Sequence, residues 1–256
     1  MEVPMRLIDE AMGDRVALVT GGTRGVGAGI TRVFRDAGAT VITCARRPPD
    51  VPDPDFVACD VREPAEVAAL VAGIVDRYGR LDVLVNNAGG APSVPVSEAS
   101  PRFHAKVVEL NLLAPLLVSQ EVNRVMQEQP GGGAIVMVSS VSGRRPSPGT
   151  AGYGAAKAGL DSLTGSLAVE WAPKVRVNAL AVGPVRTELS DLHFPDLAAV
   201  AKTVPLGRLA EPEDVGHCAL FLASPLASYV SGATLLVHGG GEWPAFYTAQ
   251  SDQGAR

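Results

Sequence analysis

Seven short runs of valine, isoleucine, leucine and alanine recur along the chain, and longer segments of helical periodicity separate most of them. Runs that are apolar at nearly every position predict strands buried on both faces, as in a parallel sheet covered by helices. The strand candidates read RVALVT, TVITCA, DFVACD, LDVLVNN, GAIVMVSS, VRVNALAV and TLLVHGG. This alternation predicts an α/β fold in which a doubly wound parallel sheet of about seven strands forms the middle of three layers.

Five segments between these runs have the periodicity of helices. They cover residues 28–37, 64–78, 102–129, 152–171 and 211–222. The stretch RRPPDVPDPD (46–55) contains four prolines, so the crossover at that point is predicted to be irregular rather than helical.

The composition bounds the size and class of the protein. With 256 residues, 46% of them hydrophobic, the chain can bury the core of one domain spanning residues 1–256. Residues 1–13 and 247–256 contain too few apolar side chains to dock firmly and are predicted to be loose tails. The three cysteines show no C-x-x-C spacing and the histidines no metal-binding spacing, so neither a disulfide framework nor a metal site is predicted.

The charge pattern excludes several classes of partner. The formal net charge is -5 and no run of lysine or arginine occurs, so neither nucleic acid nor a membrane surface is an expected partner. Charged residues interrupt the apolar ones near the N-terminus, unlike the layout of a signal peptide. A cytoplasmic protein that acts on small molecules is expected.

A glycine-rich loop, VALVTGGTRGVGAGI, links the first predicted strand to the first helix. Gly21, Gly25 and Gly27 allow the backbone to approach a pyrophosphate, and the helix N-terminus offers free N–H groups to it. A glycine-rich loop alone can be only a tight turn, but its place directly after the first strand favours a Rossmann-type dinucleotide site.

The end of the second predicted strand, VITCARRPP, bears on the choice of cofactor. Enzymes that use NAD usually carry an acidic residue there, whereas this chain has Ala45 followed by Arg46 and Arg47. Together with Arg24 in the glycine loop, these guanidinium groups favour the 2′-phosphate of NADP(H). NAD(H) remains the alternative cofactor, and solvated arginines with no ligand are the alternative interpretation.

Tyr153 and Lys157 lie four residues apart in GTAGYGAAKAGLD and therefore on one face of a helix. The lysine charge is expected to lower the pKa of the tyrosine, which would make the phenol a general acid or base. Gly152 and Gly154 are interpreted as leaving room for cofactor and substrate to approach. Alone, Y-x-x-x-K is a common chance pattern in helices.

Seven motifs in order resemble those of the short-chain dehydrogenase/reductase family from about residue 14 to 240. They are TGGTRGVG at 20–27, CDV at 59–61, NNAG at 86–89, the asparagine of ELNLLAP at 111, VSSVSG at 138–143, YGAAK at 153–157 and GPVRT at 183–187.

The resemblance implies a catalytic group of four residues. Ser140, rather than a neighbouring serine, would hydrogen-bond the substrate oxygen, and Tyr153 would transfer the proton. Lys157 would hold the nicotinamide ribose, and Asn111 would kink its helix and support a water that relays protons. The cofactor-binding residues that it implies are Gly21, Thr23, Arg24, Gly25, Val26, Gly27, Arg46, Arg47, Asp60, Val61, Asn87, Ala88, Gly89, Tyr153, Lys157, Val185 and Thr187.

Individual contacts follow from the same resemblance. Asp60 would contact the adenine, residues 87–89 would line the adenosine ribose and the back of the site, and Thr187 would contact the nicotinamide carboxamide or a phosphate. In relatives the helices around Asn111 and Tyr153 pack against a second subunit, so a homodimer or homotetramer is expected.

The expected activity is NAD(P)(H)-dependent interconversion of a ketone and a secondary alcohol. A reductase of 3-oxoacyl thioesters on acyl carrier protein or coenzyme A is one alternative, and a non-catalytic dinucleotide-binding regulatory protein is another. A hydrolase is disfavoured because no G-x-S-x-G elbow occurs and no motif places a histidine beside a serine. Residues 90–97, 144–150 and 188–206 are expected to select the substrate, and they carry no recognisable code.

Overall fold

A computed structural model describes residues 12–190 and 196–244 of the protein. Its centre is a seven-stranded sheet in which every strand is parallel to its neighbours, in the order β3-β2-β1-β4-β5-β6-β7. All seven predicted strands are confirmed. They are β1 (Val16–Thr20), β2 (Thr40–Ala45), β3 (Phe56–Ala58), β4 (Val83–Asn86), β5 (Gly133–Ser140), β6 (Val175–Val182) and β7 (Thr234–Val237).

The helices lie on both sides of this sheet. They are α1 (Gly25–Asp36), α2 (Pro64–Tyr78), α3 (Pro101–Val108), α4 (Ala114–Glu128), α5 (Ala151–Glu170), α6 (Leu197–Thr203) and α7 (Pro212–Ala223). The helical stretch predicted over 102–129 is confirmed, and a π-helical segment within it, Glu109–Leu113, joins α3 to α4. Residues 46–55 form no helix, so the prediction of an irregular crossover is confirmed.

Two hydrophobic cores, one on each face of the sheet, confirm the three-layer arrangement. Alternate strand residues point to opposite faces. Leu18 and Leu84 therefore pack with α2, α4 and α5, whereas Val19 and Val85 pack with α1 and α7. These four side chains are fully buried, so β1 and β4 have no solvent-exposed face, as their continuously apolar sequences require.

The carboxyl ends of the central strands meet at one edge of the sheet. Between β1 and β4 the strand order reverses, because the chain first winds outward to β3 and then crosses back. In open α/β sheets this reversal leaves a crevice at the strand ends where ligands bind. Thr20, Asn86, Ser140 and Val182, the last residues of β1, β4, β5 and β6, bound that crevice.

Parts of three predicted segments lie outside the described residues. They are residues 1–11 and 247–256 of the two tails and residues 191–195 of the segment expected to select substrate. Within residues 12–190 and 196–244, no helix is long and apolar enough to span a bilayer.

Candidate active site

The glycine loop after β1 has the shape that its sequence predicts. Gly21 and Gly25 adopt φ angles of 63° and 52°, which side-chain-bearing residues rarely adopt. A Cβ atom on Gly27 would lie 2.1 Å from the carbonyl oxygen of Gly21 and 2.5 Å from the Asn87 amide nitrogen. The third glycine therefore allows α1 to pack directly against the loop.

An anion already lies at the N-terminus of α1. The Glu188 carboxylate accepts two hydrogen bonds from the Gly25 N–H, at 2.9 and 3.2 Å. Because helix N-termini attract negative charge through free N–H groups and the helix dipole, this carboxylate stands in for a phosphate. The Thr187 methyl carbon lies 3.4 Å from the position of a Cβ on Gly25. The loop thus fits a dinucleotide pyrophosphate, which would compete with Glu188 for it.

Of the arginines predicted to bind a 2′-phosphate, Arg24 caps the N-terminus of α1, and Arg46 and Arg47 lie in the loop after β2. Arg24, Arg46 and Arg47 are exposed and form no ion pair with any residue of the described part of the chain. Asp60 lies nearby, and its hydrogen-bonded pair with Arg62 lowers the pKa of the Asp60 carboxyl. The arginines are available to an anionic ligand, while the Asp60 charge is already paired.

The segment after β4 is fixed to the glycine loop by Thr20. The Thr20 hydroxyl accepts hydrogen bonds from the N–H groups of Asn87 and Ala88, both at 3.0 Å. The Asn87 side chain donates to the carbonyl oxygens of Thr20 and Gly21. A Cβ on Gly89 would lie 2.7 Å from the Asn111 side-chain oxygen, so this glycine lets the segment approach the predicted catalytic group.

Asn111 is fully buried in the π-helical segment and bridges two elements. Its amide nitrogen donates to the carbonyl oxygens of Val107 and Gly90, each at 2.9 Å, and its amide oxygen accepts from the Gly90 N–H at 2.8 Å. The side chain thus satisfies backbone groups of the helix and of the segment after β4. The π-helical irregularity lies at the residue where a kink is expected.

Ser140 and Tyr153 lie next to each other at the end of β5, and the Ser140 hydroxyl opposes the larger effect of burial on the pKa of the phenol. The Ser140 hydroxyl also accepts a hydrogen bond from the Ser142 N–H at 3.2 Å. By contrast, the Ser139 hydroxyl donates to the backbone oxygen of Lys157 at 3.3 Å. Of the serines in VSSVSG, Ser140 is therefore the one that the fold joins to the tyrosine.

Lys157 is buried beside the tyrosine ring. Its ammonium donates to the carbonyl oxygen of Val138 at 2.8 Å and lies 5.5 Å from the Tyr153 ring centroid. Burial lowers the pKa of Lys157 to about 8.

The expectation that Lys157 lowers the pKa of Tyr153 is wrong for this arrangement. Burial raises the pKa of the phenol, and only the Ser140 hydroxyl opposes that increase. The physical reason is that the ammonium lies near the ring and bonds Val138, so burial dominates at the phenol oxygen. Tyr153 is therefore held in its protonated form.

A family model described as enoyl-(acyl carrier protein) reductase matches residues 21–242. The chain is 37% identical to a 3alpha-hydroxysteroid dehydrogenase of Mediterraneibacter gnavus, over 88% of this chain and 96% of that protein. The chain belongs to the short-chain dehydrogenase/reductase family. A second member, the cis-4-hydroxycyclohexanecarboxylate dehydrogenase of Sinomonas cyclohexanicum, is 40% identical over 90% of this chain and 98% of that protein.

A solved structure of the same fold is the ligand-free aldohexose dehydrogenase of Thermoplasma acidophilum. It superposes with a TM-score of 0.86 at 29% identity, over 90% of this chain and 95% of that one. The short-chain dehydrogenase/reductase fold is therefore reproduced along nearly the whole chain. Membership also establishes the broad class, an oxidoreductase of alcohols and ketones.

The two glycines on either side of Tyr153 pack against other parts of the subunit. A Cβ on Gly154 would lie 2.7 Å from the Ser142 carbonyl oxygen, and one on Gly152 would lie 3.1 Å from a ring nitrogen of His104. They make room for the turn after Ser140 and for α3. That the two glycines also leave room for cofactor and substrate stays a prediction.

Sequence reasoning missed four residues that the structure places around this site. Thr20 fixes the segment after β4, Glu188 bonds the glycine loop, and Arg144 donates to the Asp161 carboxylate at 3.1 Å. Thr20 stood inside the recognised motif TGGTRGVG without a role of its own, while Arg144 and Glu188 fell in segments expected to select the substrate and not to make these contacts. Asp161 follows Lys157 by four residues, and this spacing was the available signal that it shares the helix face.

Proposed function

We propose that the protein is an NADP(H)-dependent oxidoreductase that interconverts a ketone and a secondary alcohol, with cofactor and substrate sites in one domain. The observation that carries the proposal is that Ser140 and Tyr153 lie side by side at the carboxyl edge of the sheet, close enough for the serine hydroxyl to act on the pKa of the phenol. The Lys157 ammonium lies beside the Tyr153 ring. Gly89 packs between Lys157 and the buried Asn111, since a Cβ atom there would lie close to both side chains. The glycine loop with its anion-binding N–H group lies at the same edge.

The chain's own residues bind the substrate oxygen and transfer the proton. When bound, NADP(H) supplies the hydride for reduction and accepts it for oxidation. The Ser140 hydroxyl donates a hydrogen bond to the carbonyl oxygen and orients it. The Tyr153 phenol, whose pKa burial raises, then gives its proton to that oxygen as a general acid. Lys157 and Asn111 hold the neighbouring backbone in place and complete the polar end of the pocket.

The contacts to the cofactor are proposed from the motifs and their positions. The phosphates would bind the glycine loop, the arginines after β2 would bind the 2′-phosphate, and the segment after β4 would line the adenosine ribose. The full set is Gly21, Thr23, Arg24, Gly25, Val26, Gly27, Arg46, Arg47, Asp60, Val61, Asn87, Ala88, Gly89, Tyr153, Lys157, Val185 and Thr187.

Two named relatives guide the proposal of substrate class. One is a hydroxysteroid dehydrogenase and the other a hydroxycyclohexanecarboxylate dehydrogenase, and both names describe a secondary alcohol on a saturated ring. Cyclic ketones and the matching alcohols are therefore the first substrates to test. A 3-oxoacyl thioester is the second candidate, because the matching family model carries an acyl-carrier-protein name.

A panel assay tests this proposal directly. Purified protein is mixed with NADPH or NADH and a series of cyclic ketones, 3-oxoacyl thioesters and enoyl thioesters, and oxidation of the cofactor is followed by absorbance. We expect turnover of a ketone with NADPH preferred. Binding of NADPH without turnover of any compound would instead support the non-catalytic regulatory alternative, and turnover of enoyl thioesters alone would overturn the assignment to ketones.

Assembly into a homodimer or homotetramer is proposed through α4 and α5. The outer face of α5 exposes small side chains at Ala151, Ala155, Ala158 and Ser162, and Val169 continues the same face with 79% of its surface exposed. Small side chains let helices of two subunits approach closely. A monomer at micromolar concentration in light scattering would contradict this assembly. The cytoplasmic location expected from the sequence stays a prediction.

A further inference from the structure

The face of α5 that carries Tyr153 and Lys157 continues to an aspartate. Asp161 lies one helical turn beyond Lys157, and 14% of its side chain is exposed. One carboxylate oxygen accepts a hydrogen bond from the Arg144 guanidinium at 3.1 Å. The other is buried and has no hydrogen-bond partner within the described part of the chain. Burying a carboxylate oxygen without such a bond costs free energy, so another favourable interaction of its charge must offset that cost.

Lys157 is the buried cation next to that carboxylate. Only 4% of Lys157 is exposed, and the Val138 carbonyl accepts one hydrogen bond from its ammonium. A carbonyl oxygen offsets little of the cost of burying a full positive charge, whereas a carboxylate one turn away acts on it through the low-dielectric interior.

The other groups around Lys157 do not supply a negative charge. Tyr153, on the preceding turn of α5, is held protonated by its burial. Arg144, from the turn after β5, is a cation that faces Asp161. His104, from α3, lies against Gly152 near the start of the helix. Asp161 therefore provides the carboxylate among these neighbours.

We propose that Asp161 is a positioning residue: its carboxylate, anchored by Arg144, is the counter-charge that keeps the buried Lys157 ammonium protonated near neutral pH. Burial lowers the pKa of Lys157 to about 8, and the charge of Asp161 opposes that decrease. Without Asp161, the pKa of Lys157 would fall further, so a larger share of the lysine would be neutral near neutral pH.

The ion pair between Arg144 and Asp161 also holds the turn that follows Ser140 against α5. Arg144 directly follows the 3-10 turn Val141–Gly143, and a Cβ on Gly143 would lie 2.7 Å from the backbone nitrogen of Ala158. The turn thus lies directly on α5, and the pair between Arg144 and Asp161 joins the two elements at that point. One interaction therefore serves both the charge of Lys157 and the placement of Ser140.

Titration of the lysine side chains by NMR tests the proposal without cofactor or substrate. The chain contains four lysines, Lys106, Lys157, Lys174 and Lys202, so a sample with 13C-labelled lysine gives four resolvable Cε signals, and Lys157→Met identifies the relevant one. In Asp161→Asn we expect the midpoint of Lys157 to fall by about one pH unit or more. Asp161→Glu keeps the negative charge, so its Lys157 midpoint should lie close to that of the wild type.

Two further variants complete the design. Glu170→Gln removes a carboxylate from the exposed end of the same helix and should leave the Lys157 midpoint unchanged. Arg144→Gln removes the opposing cation, so the midpoint should rise, and this variant also provides a test if Asp161→Asn does not fold. An unchanged midpoint in folded Asp161→Asn, or no rise in folded Arg144→Gln, would overturn the proposal.

The consequence for catalysis rests on the proposed function. In the NADPH-loaded enzyme, Asp161→Asn should move the basic limb of the pH profile of kcat/KM to lower pH, and Asp161→Glu should move it back. If the wild type turns over no carbonyl compound, the proposed function fails while the NMR midpoints still decide the role of Asp161. If the wild type is active and the limb stays in place, the catalytic consequence is refuted.

Discussion

The two ends of the candidate site differ in how they are held. At the α5 end, Lys157 is buried, bonded to β5 and packed beside Tyr153, and all of these contacts exist within the chain itself. At the adenosine end, Arg46 and Arg47 are exposed and form no ion pair with any described residue. The fold therefore pre-forms the proposed catalytic end, whereas contacts at the other end await the ligand.

Removing the phenol at the pre-formed end should have the largest effect. In Tyr153→Phe we expect kcat to fall by about 10²–10⁴-fold, because the general acid is lost, while the Kd for NADPH stays close to that of the wild type. Turnover assays and a fluorescence titration with NADPH measure the two quantities. Tyr78→Phe is the matched control, since the Tyr78 hydroxyl bonds Asp55 near β3 and should affect neither. An active Tyr153→Phe enzyme would refute the role.

Removing a charge at the exposed end should affect binding and leave chemistry intact. Arg46→Ala should weaken NADPH binding by about tenfold, the loss of one charge-assisted contact, and leave NADH binding unchanged. Arg47→Ala is the comparison variant and should lose less affinity for NADPH than Arg46→Ala. Cofactor titrations decide the matter, and equal or tighter binding of NADH by the wild type would mean that the loop was misinterpreted.

Sequence patterns predicted the strands and the shared helix face of Tyr153 and Lys157, since both depend on short-range rules. Continuous apolar runs predict buried strands, and the four-residue spacing of Tyr153 and Lys157 places them on one helix face. The pKa direction of Tyr153 was not predictable, because it depends on how deeply the phenol is buried and on the Val138 carbonyl that binds the lysine. Glu188 meets Gly25 across 163 positions, and no local pattern encodes that contact.

The buried lysine should also make stability depend on pH. The folded-state pKa of Lys157, about 8, lies below its ordinary value of 10.5, so the unfolded chain binds more protons between these values and stability rises with pH. From pH 7 to 9 this group should add about 1 kcal/mol to the free energy of unfolding. Urea denaturation of the wild type and Lys157→Met at both pH values measures it; equal pH dependence in the two proteins would argue against the lowered pKa.

The smallest effect is expected at the glycine loop. Glu188→Gln removes a negative charge from the place proposed for the pyrophosphate, so NADPH should bind about two- to fivefold more tightly, as expected for an exposed, screened charge worth about 1 kcal/mol or less. Titrations at low and high salt measure the gain, which should shrink as salt rises. Weaker binding in the variant would show that the carboxylate supports the loop rather than competing for it.

The proline-rich crossover at 46–55 affects which substitutions the protein can accept. Its far end is fixed where the Asp53 carboxylate accepts hydrogen bonds from Arg35 and Thr43, and its four prolines narrow the conformations open to the unfolded chain. Its near end carries the arginines and contributes nothing to either hydrophobic core. Substitutions there meet few of the packing constraints that act on the strands, so the proposed preference for one dinucleotide can change by a few substitutions while α5 keeps its sequence.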